Sequence, residues 1–200
     1  MFELGAAWSD EAALTATWRA ARPFPHIVVD DLVAEARLPE LFAILEEEAV
    51  ERNEADLYAF DATAREPQTA EFRALREAFA GTLAPRLSRI TGHTVQRAGM
   101  RAYAYRPGHY LLPHTDHQDD LERVLAYAYY LPSPEPPVGG ELELFSCEVA
   151  GGDIVATTAA KVIEPRANRL VVFEVSDVSL HQVREVLAGL RISLAGWFYR

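Results

Sequence analysis

The chain has 200 residues, half of them hydrophobic, which suits one domain with a sizeable buried core. Thirty acidic against nineteen basic residues give a formal charge of −11; this argues against nucleic acid and anionic membrane surfaces and leaves neutral or basic substrates open. Cys147 is the sole cysteine, so an intrachain disulfide and a thiolate zinc cluster are excluded; no apolar stretch has the length of a membrane span, the first residues lack a signal-peptide pattern, and a cytoplasmic protein is expected.

The first ninety or so residues read as mainly helical. "SDEAALTATWRAA" offers Ser9 as an N-cap, acids in the first turn and apolar Ala13, Leu14 and Trp18; Pro23 and Pro25 then stop the helix. "HIVVDDLV" reads as a short buried strand. "EARLPELFAILEEEAVER" places Leu38, Leu41, Phe42 and Leu45 on one helical face, and "QTAEFRALREAFAGTLAPRLSRITG" does the same with Phe72, Leu75, Phe79 and Leu83. Pro85 is expected to break that second helix, and Gly81 and Gly92 punctuate it.

From Val95 the texture changes to short segments rich in β-branched and aromatic residues. Strands are expected near 95–105, 110–115, 123–131, 140–146, 153–157, 161–164, 169–175 and 190–199, separated by "RPG", "HQDD", "PSPEPPVGG", "AGGD", "PRAN" and "VLAG". Eight short strands in a hundred residues point to a sandwich, barrel or jelly roll. "PSPEPPVGG" is too short, and too closely flanked by strands, to separate domains. There is no internal repeat or low-complexity tract.

The polar residues carry the functional question. In "PHTDHQ", residues i and i+2 of a strand share a face, so His114 and Asp116 point together, away from Thr115 and His117. An imidazole beside a carboxylate supplies two ligands of the two-histidine, one-carboxylate set used by non-haem iron(II) oxygenases. By itself the tripeptide is more often a turn held by Asx and imidazole hydrogen bonds. Candidates for the third ligand are His26, His93, His109 and His181; only His181, in "SLHQVREV", sits where a late strand can return beside an earlier one. Ten residues on, Arg191 lies in the apolar "LRISLAGWFY", facing the same side as Ser193. A buried guanidinium needs an anion: either a ligand, or an internal salt bridge to Glu141 or Glu143.

The set "HTD", "HQV" and the following arginine resembles the iron(II)- and 2-oxoglutarate-dependent oxygenases of the prolyl 4-hydroxylase-like branch. "YRPGHYLLPHTD", "RVLAYAYYL", "GGELELF", "PRANRLVVFEVSDVSLHQVREV" and "RISLAGWFY" resemble that family's successive strands, and "PFPHIVVDDLV" its opening. The likeness covers roughly residues 23–200, most specifically 101–199. It implies an α+β, mainly β fold, a double-stranded β-helix or jelly roll backed by N-terminal helices. It implies one oxygenase domain over 1–200, with 1–92 as helical support and 93–200 as the jelly-roll core.

The resemblance further implies that His114, Asp116 and His181 ligate iron(II) and that Arg191, with Ser193 beside it, grips 2-oxoglutarate. Tyr105, Tyr130 and Leu142 would line the cosubstrate pocket, although the tyrosines also suit an ordinary core. Fe(II) is the expected cofactor, 2-oxoglutarate and O2 the cosubstrates, and ascorbate a stimulant. The intact carboxylate at Asp116 disfavours the halogenase variant, which lacks it. "RISLAGWFYR" lacks the Asn of the nucleic-acid demethylases. The expected activity is hydroxylation of an unactivated C–H bond, first on a prolyl residue of a protein or peptide, second on a free amino acid or natural-product intermediate. The rival from another class is a non-catalytic, cupin-like metal-binding module, which would not need Arg191. Substrate recognition is expected from loops near 54–70, 106–110 and 117–122.

Overall fold

The structure, a computed structural model, describes residues 4–200. Helix α1 (Glu11–Ala20) starts one residue later than the sequence suggests. Asp10, not Ser9, caps it, its Oδ1 accepting from the Ala13 amide at 2.9 Å. The Ser9 hydroxyl is diverted to the Ala6 carbonyl by a short 3₁₀ turn, Ala6–Ser9. Strand β1 (His26–Val29) follows as expected.

Helix α2 (Leu38–Glu46) buries Leu38 and Leu41 but stops before Val50. The rest of that helical-looking run enters β2 (Val50–Ala55), which forms a hairpin with β3 (Tyr58–Thr63). The N-terminal half is therefore not helical support alone. The reason is non-local: β3 pairs with two later strands, and that outweighs the helix preference of "EEEAVER". Helix α3 (Ala70–Thr91) runs unbroken through Pro85 and ends at Gly92, whose φ of +82° forms the left-handed cap. One apolar stripe continues on both sides of the proline, with Phe72, Leu75, Phe79, Leu83, Leu87 and Ile90 all buried. That burial outweighs the lost backbone hydrogen bond.

The later strands are β4 (Arg97–Ala98), β5 (Arg101–Tyr105), β6 (Tyr110–His114), β7 (Arg123–Leu131), β8 (Val138–Gly139), β9 (Leu142–Ala150), β10 (Asp153–Ile163), β11 (Leu170–Glu174), β12 (His181–Val183), β13 (Val186–Ala188) and β14 (Arg191–Tyr199). The expected strand 95–105 divides at Gly99–Met100. The expected strands 153–157 and 161–164 are one strand, held by nine pairings to β9. One antiparallel sheet runs β1-β11-β7-β14-β5-β3-β6-β12-β9-β10, with β2 on β3 and β4 on β14; β8 and β13 pair separately.

The α3 stripe packs on one face of the sheet. Phe79 meets Tyr127 of β7 and Phe198 of β14 with ring centroids 4.9 and 5.8 Å away. On the other face the sheet curls, so that β5, β6, β7, β9, β11, β12 and β14 all contribute to the wall of one cavity of about 500 Å³.

Candidate active site

His114 ends β6 and His181 begins β12, and the antiparallel register sets them directly opposite each other. Their rings lie 4.3 Å apart. Asp116 reaches the same spot from just beyond the end of β6, so it is the chain's departure from the strand, not strand alternation, that aims it. Its Oδ1 is 3.8 Å from His114 Nε2 and its Oδ2 is 3.5 Å from His181 Nε2. One ligand atom from each residue falls within 4.8 Å of the others, the one such group among the described residues.

The outer nitrogens are already committed. His114 Nδ1 lies 2.9 Å from the Leu112 carbonyl and His181 Nδ1 2.9 Å from the Ser179 carbonyl. A carbonyl only accepts, so both Nδ1 atoms donate, which leaves the Nε2 of each ring turned inward toward Asp116. Burial holds His181 neutral, down to about 4, against the pull of Asp116 and with help from the neighbouring His114. Two imidazoles and a carboxylate with this disposition fit a hard-to-intermediate divalent metal and leave room for further ligands.

Arg191 opens β14 opposite Tyr105. It is only 3% exposed, and among the described residues no carboxylate lies within 4 Å of it. Glu143, the internal partner allowed by the sequence, is taken by Arg184 and Gln182. The Arg191 guanidinium instead lies 4.7 Å from the ring of Tyr105 and 4.9 Å from that of Tyr130, with Nη1 3.4 Å from Ser193 Oγ. Its Nε and the Tyr130 hydroxyl are buried without a hydrogen-bond partner. Burial pushes the Tyr105 hydroxyl up, so it stays a neutral donor. A buried cation without an acid is costly unless an anion reaches it; the residues present therefore fit a carboxylate such as that of 2-oxoglutarate. Gly140 makes this packing possible: its φ is +73°, and a Cβ there would meet Val186 Cγ2 at 2.8 Å and Arg191 Cδ at 3.0 Å.

Every expected site residue except Tyr130 lines one cavity. Tyr105, Leu142, Arg191 and Ser193 line it with the His114, Asp116 and His181 set, and Tyr130 stands behind Arg191. The other histidines stay away. His26 Nδ1 donates to the Phe24 carbonyl at 2.8 Å, and His93 pairs with Glu174 at 3.1 Å. Sequence reading missed Arg123. Its Nη1 donates to the Asp116 carbonyl at 3.2 Å and its guanidinium lies 3.6 Å over Trp197, steadying the Asp116 turn at the cavity rim. Its only sequence signal was an arginine seven residues past Asp116.

The family model described as the 2OG-Fe(II) oxygenase superfamily matches residues 100–199, and the chain belongs to that family of iron(II)- and 2-oxoglutarate-dependent dioxygenases. A prolyl 3-hydroxylase of Xenopus laevis, OGFOD1, is 33% identical over 196 residues, covering 88% of this chain. The chain spans 35% of that curated relative. Two solved structures share the jelly-roll fold. A Pseudomonas putida prolyl-4-hydroxylase has a TM-score of 0.67 at 21% identity, covering 94% of this chain and 98% of its own. A prolyl hydroxylase of Trichoplax adhaerens, solved with a hypoxia inducible factor oxygen degradation domain peptide fragment, has a TM-score of 0.70 at 15% identity, covering 96% and 91%.

Proposed function

We propose that this chain hydroxylates a prolyl residue of a protein or peptide, with His114, Asp116 and His181 holding iron(II) and Arg191 holding the distal carboxylate of 2-oxoglutarate. The observation that carries the reading is the coexistence, in one cavity, of two inward-facing imidazoles, a carboxylate and a buried arginine without an acid partner. The identity to a prolyl 3-hydroxylase along most of the chain supports the prolyl substrate. We read the described residues, 4–200, as one oxygenase domain, a reading supported by the pairing of β1, β2 and β3 into the sheet that carries the site.

When bound, iron(II) and 2-oxoglutarate supply an oxidant able to hydroxylate an unactivated C–H bond. The chain's own residues do the rest. The Leu112 and Ser179 carbonyls fix the tautomers of the two histidines. Ser193 orients the Arg191 fork, and the ring of Tyr130 lies 4.9 Å from it. Leu142 and Phe173 make the apolar walls that limit water near the metal position, Phe173 packing edge-on to His181 with centroids 4.6 Å apart.

Incubation with iron(II), 2-oxoglutarate, ascorbate and prolyl peptides is expected to give succinate and a peptide heavier by one oxygen, labelled from oxygen gas. Turnover only on free amino acids or small molecules would move the substrate to that class. Chlorinated product, or turnover only on methylated nucleic acid, would overturn the reading. Asp116→Ala is expected to abolish both hydroxylation and stoichiometric iron binding in calorimetry.

A further inference from the structure

A second cavity, of about 710 Å³, lies beside the first. Arg65, Arg101, Tyr103, Ala195, Gly196 and Trp197 line both, so the two cavities share one wall. The charge in the second cavity runs against the rest of the molecule. Five arginines line it, Arg65, Arg76, Arg97, Arg101 and Arg123, against two acids, Glu66 and Glu77, in a chain whose net charge is −11.

Part of that charge is already answered. Arg76 pairs with Glu66 at 2.8 Å, and Arg97 stands 3.9 Å from Glu122. Arg123 is engaged with the Asp116 carbonyl and Trp197. Arg65 and Arg101 remain: among the described residues neither has a carboxylate within 4 Å. Arg101 Nε donates to the Thr63 carbonyl at 2.7 Å and its guanidinium lies 5.3 Å from the Tyr103 ring, which anchors it at the wall shared by the two cavities while leaving its charge without an acid. Arg65 is exposed on the same wall. Two guanidinium groups without acid partners, both on the wall shared by this cavity and the one that holds His114, Asp116 and His181, form an anion-recognition surface.

Resting on the prolyl-peptide reading, we infer that this second cavity receives an acidic side chain, Asp or Glu, of the substrate, a few residues along the peptide from the target proline. An extended peptide advances about 3.3 Å per residue, so a neighbouring acid reaches the shared wall while the proline occupies the first cavity. The chain's net charge, which taken alone favours neutral or basic substrates, is reversed locally at the place that matters. A phosphate polymer would meet the same arginines but be repelled by the surrounding acids.

The test uses fluorescein-labelled proline peptides that differ only in a single Glu or Gln, moved stepwise outward from the proline. Their affinity is read by anisotropy on the protein loaded with iron(II) and 2-oxoglutarate under nitrogen. At one position or a few, the Glu peptide is expected to bind roughly three- to ten-fold tighter than its Gln twin. The preference should shrink as salt is raised. Arg65→Gln should reduce it and Arg65→Gln with Arg101→Gln should remove it; the exposed Arg65 guards against misreading a folding defect at Arg101. Equal affinities at every position, a preference untouched by Arg65→Gln, or stronger competition by a single-stranded oligonucleotide would overturn the inference. Hydroxylation of prolyl peptides without charge preference sinks this inference and spares the prolyl reading. Tight binding of the Glu peptide with no hydroxylation does the reverse, and failure of every peptide to bind sinks both.

Discussion

The two faces of β7 show how one strand separates stability from chemistry. "RVLAYAYYL" is buried nearly throughout. Leu125, Tyr127, Tyr129 and Leu131 belong to the core built around α3, whereas Ala126, Ala128 and Tyr130 belong to the cluster on the cavity side. The α3 side is filled by large rings whose polar atoms are satisfied: Tyr127 donates to the Gly99 carbonyl at 2.8 Å and Tyr129 to Asn168 Oδ1 at 2.9 Å. The cavity side uses alanines, which leave volume, and a tyrosine whose hydroxyl has no partner. Full packing and full hydrogen bonding mark a wall, while small side chains and unanswered polar atoms mark a place kept for a ligand.

Removing a large ring from the filled side strikes hardest. Phe79→Ala should cost about 3–5 kcal/mol of stability, as for other aromatic truncations in cores, read by urea unfolding. A loss under about 1 kcal/mol would mean that this face is not the main core.

Arg191→Ala attacks the other side. With its charged partner removed, the affinity for 2-oxoglutarate should fall by roughly 2–5 kcal/mol, about one and a half to three and a half decades in Kd by calorimetry. Iron binding should change little. An unaltered Kd would assign Arg191 to structure instead of ligand.

Glu48 belongs to the support of the filled side. Its carboxylate accepts from the Thr69 amide at 2.7 Å, the Thr69 hydroxyl at 2.6 Å and the Gln68 amide at 3.2 Å, at the start of α3. Burial pushes this carboxyl up, but the hydrogen bonds from Thr69 and Gln68, with Arg73 nearby, outweigh it, so the net direction is down from the ordinary 4.5. A depressed carboxyl stabilises the fold above its unfolded value and loses that contribution as pH falls through the lower folded value. Glu48→Gln should therefore cost about 1–3 kcal/mol at neutral pH and flatten the acid limb of the stability curve below about pH 4.5. Parallel acid limbs in the two proteins would contradict this.

The smallest and sharpest contrast is between adjacent residues. Tyr129→Phe removes a satisfied hydrogen bond and should cost about 1 kcal/mol, while Tyr130→Phe should leave the stability of the free protein within about 0.5 kcal/mol. Only Tyr130→Phe should weaken 2-oxoglutarate binding, by up to roughly ten-fold. Equal thermal shifts for the pair would erase the distinction between the faces.

Local pattern was enough for some of this. The strand 123–131 was legible to the residue because an unbroken apolar run between turn clusters has few alternatives. The "HTD" tripeptide, His181 and Arg191 stood out through the family resemblance they carry together; side-chain type and spacing alone left "HTD" more often a turn and Arg191 open to an internal salt bridge. The hairpin 50–63 did not: its first strand is exposed on both faces and made of good helix formers, and only pairing of its second strand with β5 and β6 decides its form. Pro85 reads as a break until the core beneath it is counted. Asp116 sits past the strand end, Arg123 gains its role from a carbonyl seven residues back, and the arginine-lined cavity joins residues 65, 101 and 123 from three separate segments. The sequence alone determined which groups could hold a metal and an anion, because that is written in side-chain type and spacing. The tertiary structure alone decided which face of each strand is filled and which is open, because strand register and sheet curl come from contacts between residues far apart in the chain.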